Sequence, residues 1–154
     1  MEFISMDFST FEDTYKELEK FVDEPSLEKI NRKVIKQAIE IGHAETVKLI
    51  KSRAYSSDNS KSGRKGARPS GHAGDNVPKK VTKTKDYGVS GIVGWDRSDR
   101  TEYFYMKFQE FGTSSEPPHQ TAKNFIKDAT KNSQDEMQAI MSREYEKALS
   151  EVLE

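Results

Sequence analysis

The sequence contains no cysteine. Disulfides, thiolate nucleophiles and cysteine-ligated zinc are therefore excluded. Apolar residues are scarce as well: the hydrophobic share is 33%, no larger than the charged share of 33%, and the mean hydropathy is −0.88. Even with the nine glycines added, the apolar fraction stays below the usual range of about 45–50%. A chain of 154 residues is long enough for one domain and short for two. Its core is expected to be thin, with partner surfaces completing it. Long hydrophobic runs are missing too. The longest uncharged stretch beside an apolar patch, Gly88 to Trp95, is far shorter than the ~20 residues that span a bilayer. No basic cluster precedes an apolar run near the start, as a secretory signal would require. These absences lead to the expectation of a soluble intracellular product with no membrane association: one domain over residues 1–154.

Charge is plentiful but unevenly spread. Residues 1–50 carry seven basic and eleven acidic side chains, residues 51–85 ten and two, and residues 86–154 eight and thirteen. The net charge of −1 thus conceals a positive middle between two negative flanks. Such a pattern bears on partners and not on fold. It suits nucleic acid, or the acidic ends of a neighbouring copy.

Apolar spacing predicts the elements. Ser9-Thr10-Phe11-Glu12 is a capping-box pattern, and Phe11, Tyr15, Leu18 and Val22 follow at helical spacing, predicting a helix over about 10–22. Pro25 disfavours helix in the residue before it. Ser26 then caps a second helix over 27 to about 52, whose stripe is Leu27, Ile30, Val34, Ala38 and Ile41, with a bend near Gly42. Residues 54–76 hold four glycines, five serines and a proline, with almost nothing apolar, and read as a flexible basic loop. Val77–Lys85 and Val89–Trp95, separated by Asp86-Tyr87-Gly88, read as an antiparallel hairpin with the second strand buried and Lys79, Lys80, Lys83 and Lys85 exposed. A short aromatic helix begins at Thr101 and stops at Gly112. A last helix runs from about 121 to 153, with Ser133 and Glu136 marking a break. The expected class is α+β: two N-terminal helices, a long basic loop, a small antiparallel sheet, a short aromatic helix and a long C-terminal helix.

Residue chemistry argues against catalysis. His43, His72 and His119 lie far apart in sequence and offer no local set of three or four metal ligands. Gly63-Arg64-Lys65-Gly66 lacks the preceding strand, the Gly-Lys-Ser/Thr ending and the following helix of a phosphate loop. No nucleophile stands beside a base. The expectation is a protein without cofactor, metal or catalytic residue. Nucleic-acid binding through the 51–85 region, with Lys61, Arg64, Lys65, Arg68, Lys79 and Lys80 on phosphates, is the alternative. It lacks a helix-turn-helix or an aromatic sheet surface to read bases.

The densest local feature is aromatic. Tyr103, Phe104, Tyr105, Phe108 and Phe111 fall within nine residues. Three of them are consecutive and cannot all face one core. At least one is expected to point outward to an intersubunit contact.

The run Tyr103-Phe104-Tyr105-Met106-Lys107-Phe108-Gln109-Glu110-Phe111-Gly112-Thr113, followed by Pro117-Pro118-His119, resembles the tail-completion or head–tail joining (neck) family of long-tailed bacteriophages. That family is similar in having an aromatic helix ending in Glu-Phe-Gly-Thr, a proline-containing loop and a long C-terminal helix. Ser70 to Pro78 and Val93-Gly94-Trp95 resemble its upstream segments. One departure stands out: where the family commonly has Pro-Phe before the last helix, this chain has Gln120-Thr121-Ala122-Lys123-Asn124-Phe125. The resemblance implies a structural virion protein at the neck or head-proximal end of the tail, made in the host cytoplasm. It implies assembly as a homo-oligomeric ring that contacts neck and tail proteins and reaches DNA in the channel. Tyr103, Phe104, Phe108, Glu110, Phe111, Gly112, Thr113 and Pro118 would carry the motif and the assembly contacts. Within it, Glu110 is expected to satisfy backbone amides or a basic partner, Gly112 to take a positive φ, and Phe111 to anchor the short helix on the strand of Ile92 and Trp95.

Overall fold

The computed structural model describes residues 9–53, 73–84, 88–95, 106–112 and 121–154. The expected loop residues Lys61, Arg64, Lys65 and Arg68 lie outside that set, as do Tyr103, Phe104, Thr113 and Pro118. The architecture is α+β. Helices α1 (Ser9–Glu19) and α2 (Glu24–Arg53) come first, then a 3-10 turn (Ala73–Asn76) and strands β1 (Lys79–Lys83) and β2 (Val89–Val93). The short helix α3 (Met106–Phe111) and the long helix α4 (Phe125–Leu153) complete the order.

Helix α1 stops three residues earlier than its apolar spacing predicts. The amides of Lys20 and Phe21 turn back to the carbonyls of Glu17 and Leu18, a tightened last turn that leaves Phe21 outside and exposed. The cap of α2 also differs from expectation. Asp23 Oδ1 accepts from the Ser26 amide at 2.9 Å, so Asp23, not Ser26, is the N-cap. Pro25 then sits inside the first turn, where a missing N–H costs nothing. From there α2 runs unbroken for 30 residues, about 45 Å.

Helix α4 lies antiparallel to α2. Tyr145, Glu144, Asn132 and Asp128 of α4 meet Asn31, Gln37, Glu45 and Arg53 of α2 in that order. Gly42 is buried in this seam, where a β-carbon would make ordinary van der Waals contact, 3.5 Å from Met137 Sδ. The expected break near Ser133 is absent. Ser133 is buried and its hydroxyl donates to the Ala129 carbonyl at 2.5 Å, so its polarity is satisfied within the helix.

Two apolar clusters occupy the two halves of this pair. One joins Phe11 and Leu18 of α1 to Val34 and Ala38 of α2 and Met141 and Tyr145 of α4. The other joins Leu49 and Ile50 to Ala73, Val77, Trp95, Met106, Phe125 and Ala129. Ala73 is fully buried, so the end of the segment expected as a 54–76 loop is part of the core. His43 Nε2 reaches the Val77 carbonyl at 2.9 Å and ties this segment to α2.

The hairpin lies along α2. Its register pairs Lys79 with Val93, Val81 with Gly91 and Lys83 with Val89, and these six share the face toward α2. Gly91 is required there, because a β-carbon would collide with the methyl groups of Ile35 and Ile39. Lys79 and Lys83 reach Glu40 and Glu28 of α2 at 2.6 and 2.7 Å. The Lys80–Ile92 pair occupies the opposite face. Strand β2 is therefore not the buried strand expected: Ile92 is 53% exposed, since α2 covers one face only and alternation turns Ile92 away from it.

A polar network fixes α1. Tyr145 Oη donates to Asn31 Oδ1 at 2.9 Å, and Asn31 Nδ2 donates to Tyr15 Oη at 3.0 Å. Phe11 stacks on Tyr145 with ring centroids 5.2 Å apart. Burial pushes the Tyr145 phenol well above its ordinary range, so it remains a donor. Replacing Tyr145 with Phe keeps the stacking and strands the buried Asn31 oxygen. The expected loss is about 1–3 kcal/mol, read as a lower denaturant midpoint with an unchanged slope.

Candidate functional site

The candidate site is the joint between α3 and α4, where the Glu110-Phe111-Gly112 sequence lies. Helix α3 has a phase the aromatic pattern does not suggest. Met106, Gln109 and Glu110, at helical spacings of three and four, are buried, whereas Phe108 and Phe111 are 44% and 42% exposed. The expectation that Phe111 anchors α3 on the strand is corrected here. Met106 and Phe125, both with no exposed surface, fill that role beside Trp95.

Glu110 caps α4 from outside that helix. Its carboxylate accepts from the amides of Ile126 at 3.0 Å and Lys127 at 3.3 Å. Helix α4 needs this because its own N-cap residue, Asn124, is left-handed (φ 52°, ψ 40°) and its side chain makes no capping bond. Satisfaction runs the other way as well. The Lys123 and Asn124 amides donate to the Gln109 and Glu110 carbonyls at 2.8 and 3.2 Å, closing the C-terminal end of α3. Gly112 has φ 75° and donates to the Phe108 carbonyl at 2.9 Å. This matches the expected positive angle and C-terminal glycine.

Two further contacts lock the joint to the rest of the fold. Arg53 Nη1 pairs with Asp128 Oδ2 at 2.5 Å, and Lys123 Nζ donates to the Arg53 carbonyl at 3.2 Å. Gly94, at φ 91°, lies where a β-carbon would strike Ile126. The chain after β2 thus passes directly over the first turn of α4.

Electrostatically the joint is strained by burial. Loss of solvent is the largest influence on Glu110 and raises its carboxyl above the ordinary glutamate range. The amides of Ile126, Lys127 and Phe125 pull it back, and Asp128 adds to the rise. Elsewhere, Lys83 and then Arg32 hold Glu28 low, and Lys79 holds Glu40 low.

The sequence reading placed Glu110 and Gly112 in these roles and missed Lys123, Asn124 and Phe125. The signal for them was the displaced phenylalanine: with no proline ahead of it, residues 121–124 are free to donate amides to α3. Lys79 and Lys80 fall on opposite faces of the hairpin, so they do not form one contact surface. Among the described residues no group of acidic or histidine side chains could hold a metal ion, and no helix is long and apolar enough to cross a membrane. No protein-family model, curated protein or solved structure matches this chain.

The capping carboxylate gives a pH signature of known sign. A carboxyl raised in the folded state binds its proton more tightly there than in the unfolded chain. Its contribution to stability is present below the ordinary glutamate value and is lost as pH rises through the folded value. Asp23, Glu28 and Glu40 are lowered and act in the reverse sense. The Glu110→Gln variant isolates the effect, since the other groups are common to both proteins. Melting temperatures between pH 4 and pH 7 should show the parent gaining on the variant as pH falls. An equal pH slope in both would remove Glu110 from this role. Packing gives a second outcome: Phe125→Ala costs about 3–5 kcal/mol, several times the cost of Phe111→Ala, by chemical denaturation.

Proposed function

We propose that this chain is a structural virion protein of a tailed phage or prophage, without catalytic activity, acting at the neck or the head-proximal end of the tail to help join tail to head. The observation that carries the reading is the Glu110–α4 cap. Of the run through which the sequence resembles the neck family, the described residues Met106 to Gly112 form a joint that sets one helix on another. The order of elements agrees with it: two helices, a hairpin, a short helix ending at Glu-Phe-Gly, and a long final helix. A connector needs rigid elements that present surfaces to neighbours, and a 45-Å helical pair of the kind described above supplies them.

Nucleic-acid binding is the less favoured reading. Of the basic residues it would use, Lys79 is already paired with Glu40 of its own chain. The neighbouring Lys83 is paired with Glu28. Both have their charge offset within the fold, leaving Lys80 as the described contributor.

The test is a lysate from an induced lysogen lacking this gene. The expected result is filled heads and complete tails that fail to join, with infectivity restored by adding the purified protein. Normal infectious particles from the deletion would refute the reading. Strong, salt-steep binding of duplex DNA by purified protein that never enters virions would favour the alternative.

A further inference from the structure

The hairpin has two edges, and they are unlike. Backbone bonds from the Gly94 amide to the Pro78 carbonyl and from the Thr84 amide to the Gly88 carbonyl bracket its ladder. Hydrogen-bonded pairs alternate along an antiparallel ladder. In the register of β1 and β2 they are therefore Lys80–Ile92 and Thr82–Ser90. The amides and carbonyls of Val89, Gly91 and Val93 then point away from β1. Among the described residues no backbone group pairs with them, and β2 has no further strand on that side. Gly91 is exposed, and because glycine has no side chain, what it exposes is main chain.

Folded proteins protect sheet edges with lysine, proline, bulges or a covering element, because an open row of amides and carbonyls recruits other strands. Strand β1 follows that rule. Lys79, Lys80 and Lys83 fall within its five residues, and Pro78 precedes it. Strand β2, Val89-Ser90-Gly91-Ile92-Val93, carries no charge and no proline, and its pairing with β1 runs without a bulge. On the face away from α2, Ile92 stands 53% exposed beside this unprotected edge.

We propose that the β2 edge is a docking site for an extended peptide segment of another protein, which adds to the hairpin as a third strand. The chemistry of the edge selects this occupant: amides and carbonyls presented at every second residue are complementary to an extended main chain. Bonds to Val89, Gly91 and Val93 supply the affinity. Side chains supply the selectivity, since the incoming strand flanks Ile92 on the outer face and a β-branched or aromatic residue covers it best. The site is independent of the neck reading, which the deletion lysate tests by itself.

Amide hydrogen exchange of the full chain is the first test. The amides of Ser90 and Ile92, bonded to β1, should exchange slowly, and those of Val89, Gly91 and Val93 fast. Protection of the latter three in the free protein, by its own residues or by a second copy, would overturn the proposal. A random library of short displayed peptides is then panned on the protein, and the tightest binder is synthesised. That peptide should protect Val89, Gly91 and Val93. N-methylation at alternate peptide residues should weaken binding about tenfold, one hydrogen bond being lost at each, whereas N-methylation at the residues between should leave it unchanged. Val89→Pro removes an N–H that the hairpin does not use and should weaken binding about tenfold as well. Ile92→Lys, at an exposed side chain, gives β2 the protection that β1 has, and should weaken binding with the melting temperature held. A library without binders, a binder that protects a different surface, or N-methylation without alternation would each sink the idea.

Discussion

The antiparallel seam between α2 and α4 is the contact on which every other element depends. A chain with so few apolar side chains cannot surround a central core, so it places them along one long line between two helices. Gly42, Ala38, Ala129 and Ser133 keep that line narrow, and close approach yields dispersion contacts that a larger but looser interface would not. The remaining elements attach at its two halves. Helix α1 covers the half with Tyr145, while the 3-10 turn, the residues after β2, and α3 cover the half with Phe125. The hairpin alone rests on the flank of α2. It does so through the close approach that Gly91 permits and two ion pairs, and it leaves a face open.

Polar groups set the register where apolar ones only attract. Apolar contacts such as those of Leu18 on α1 would tolerate sliding by a turn, but the Tyr145–Asn31–Tyr15 chain of hydrogen bonds has one alignment in which all three are satisfied. The joint between α3 and α4 follows the same logic. A short helix of six residues has little packing surface, and its position is determined by backbone groups that need partners. The amino end of α4 lacks acceptors and the carboxyl end of α3 lacks donors, and each supplies what the other needs. Glu110 is held there at a cost in desolvation, which is why its carboxyl is raised although three amides face it.

Most of the architecture was legible in the sequence because long amphipathic helices announce themselves by period. The stripes of α2 and α4, the hairpin around Gly88 and the stop at Gly112 all follow from spacing and turn chemistry. What could not be read was which residues of a short element face inward. In α3 the eye follows Phe108 and Phe111, yet the buried set is Met106, Gln109 and Glu110. Hydrophobicity loses here to the need for a carboxylate at the start of α4, and nothing local to residues 106–111 reveals that need. The same applies to Ala73, whose burial depends on the distant residues Leu49, Trp95 and Phe125. The cap of α2 was misassigned for a simpler reason: Asp23 and Ser26 flank Pro25, and only the φ tolerated by proline in a first turn decides between them.

Charge on this molecule separates into two kinds by its partners. Lys79, Lys83, Arg53 and Lys51 each have a carboxylate of the same chain within reach, and all four hold elements together across the fold. Such exposed pairs contribute little each, about 0–1 kcal/mol, yet they orient the hairpin and the α2–α4 joint. Glu110 is of the other kind: its partners are backbone amides of α4, and together with Asp128 in the first turn it sets negative charge against the positive end of that helix's dipole.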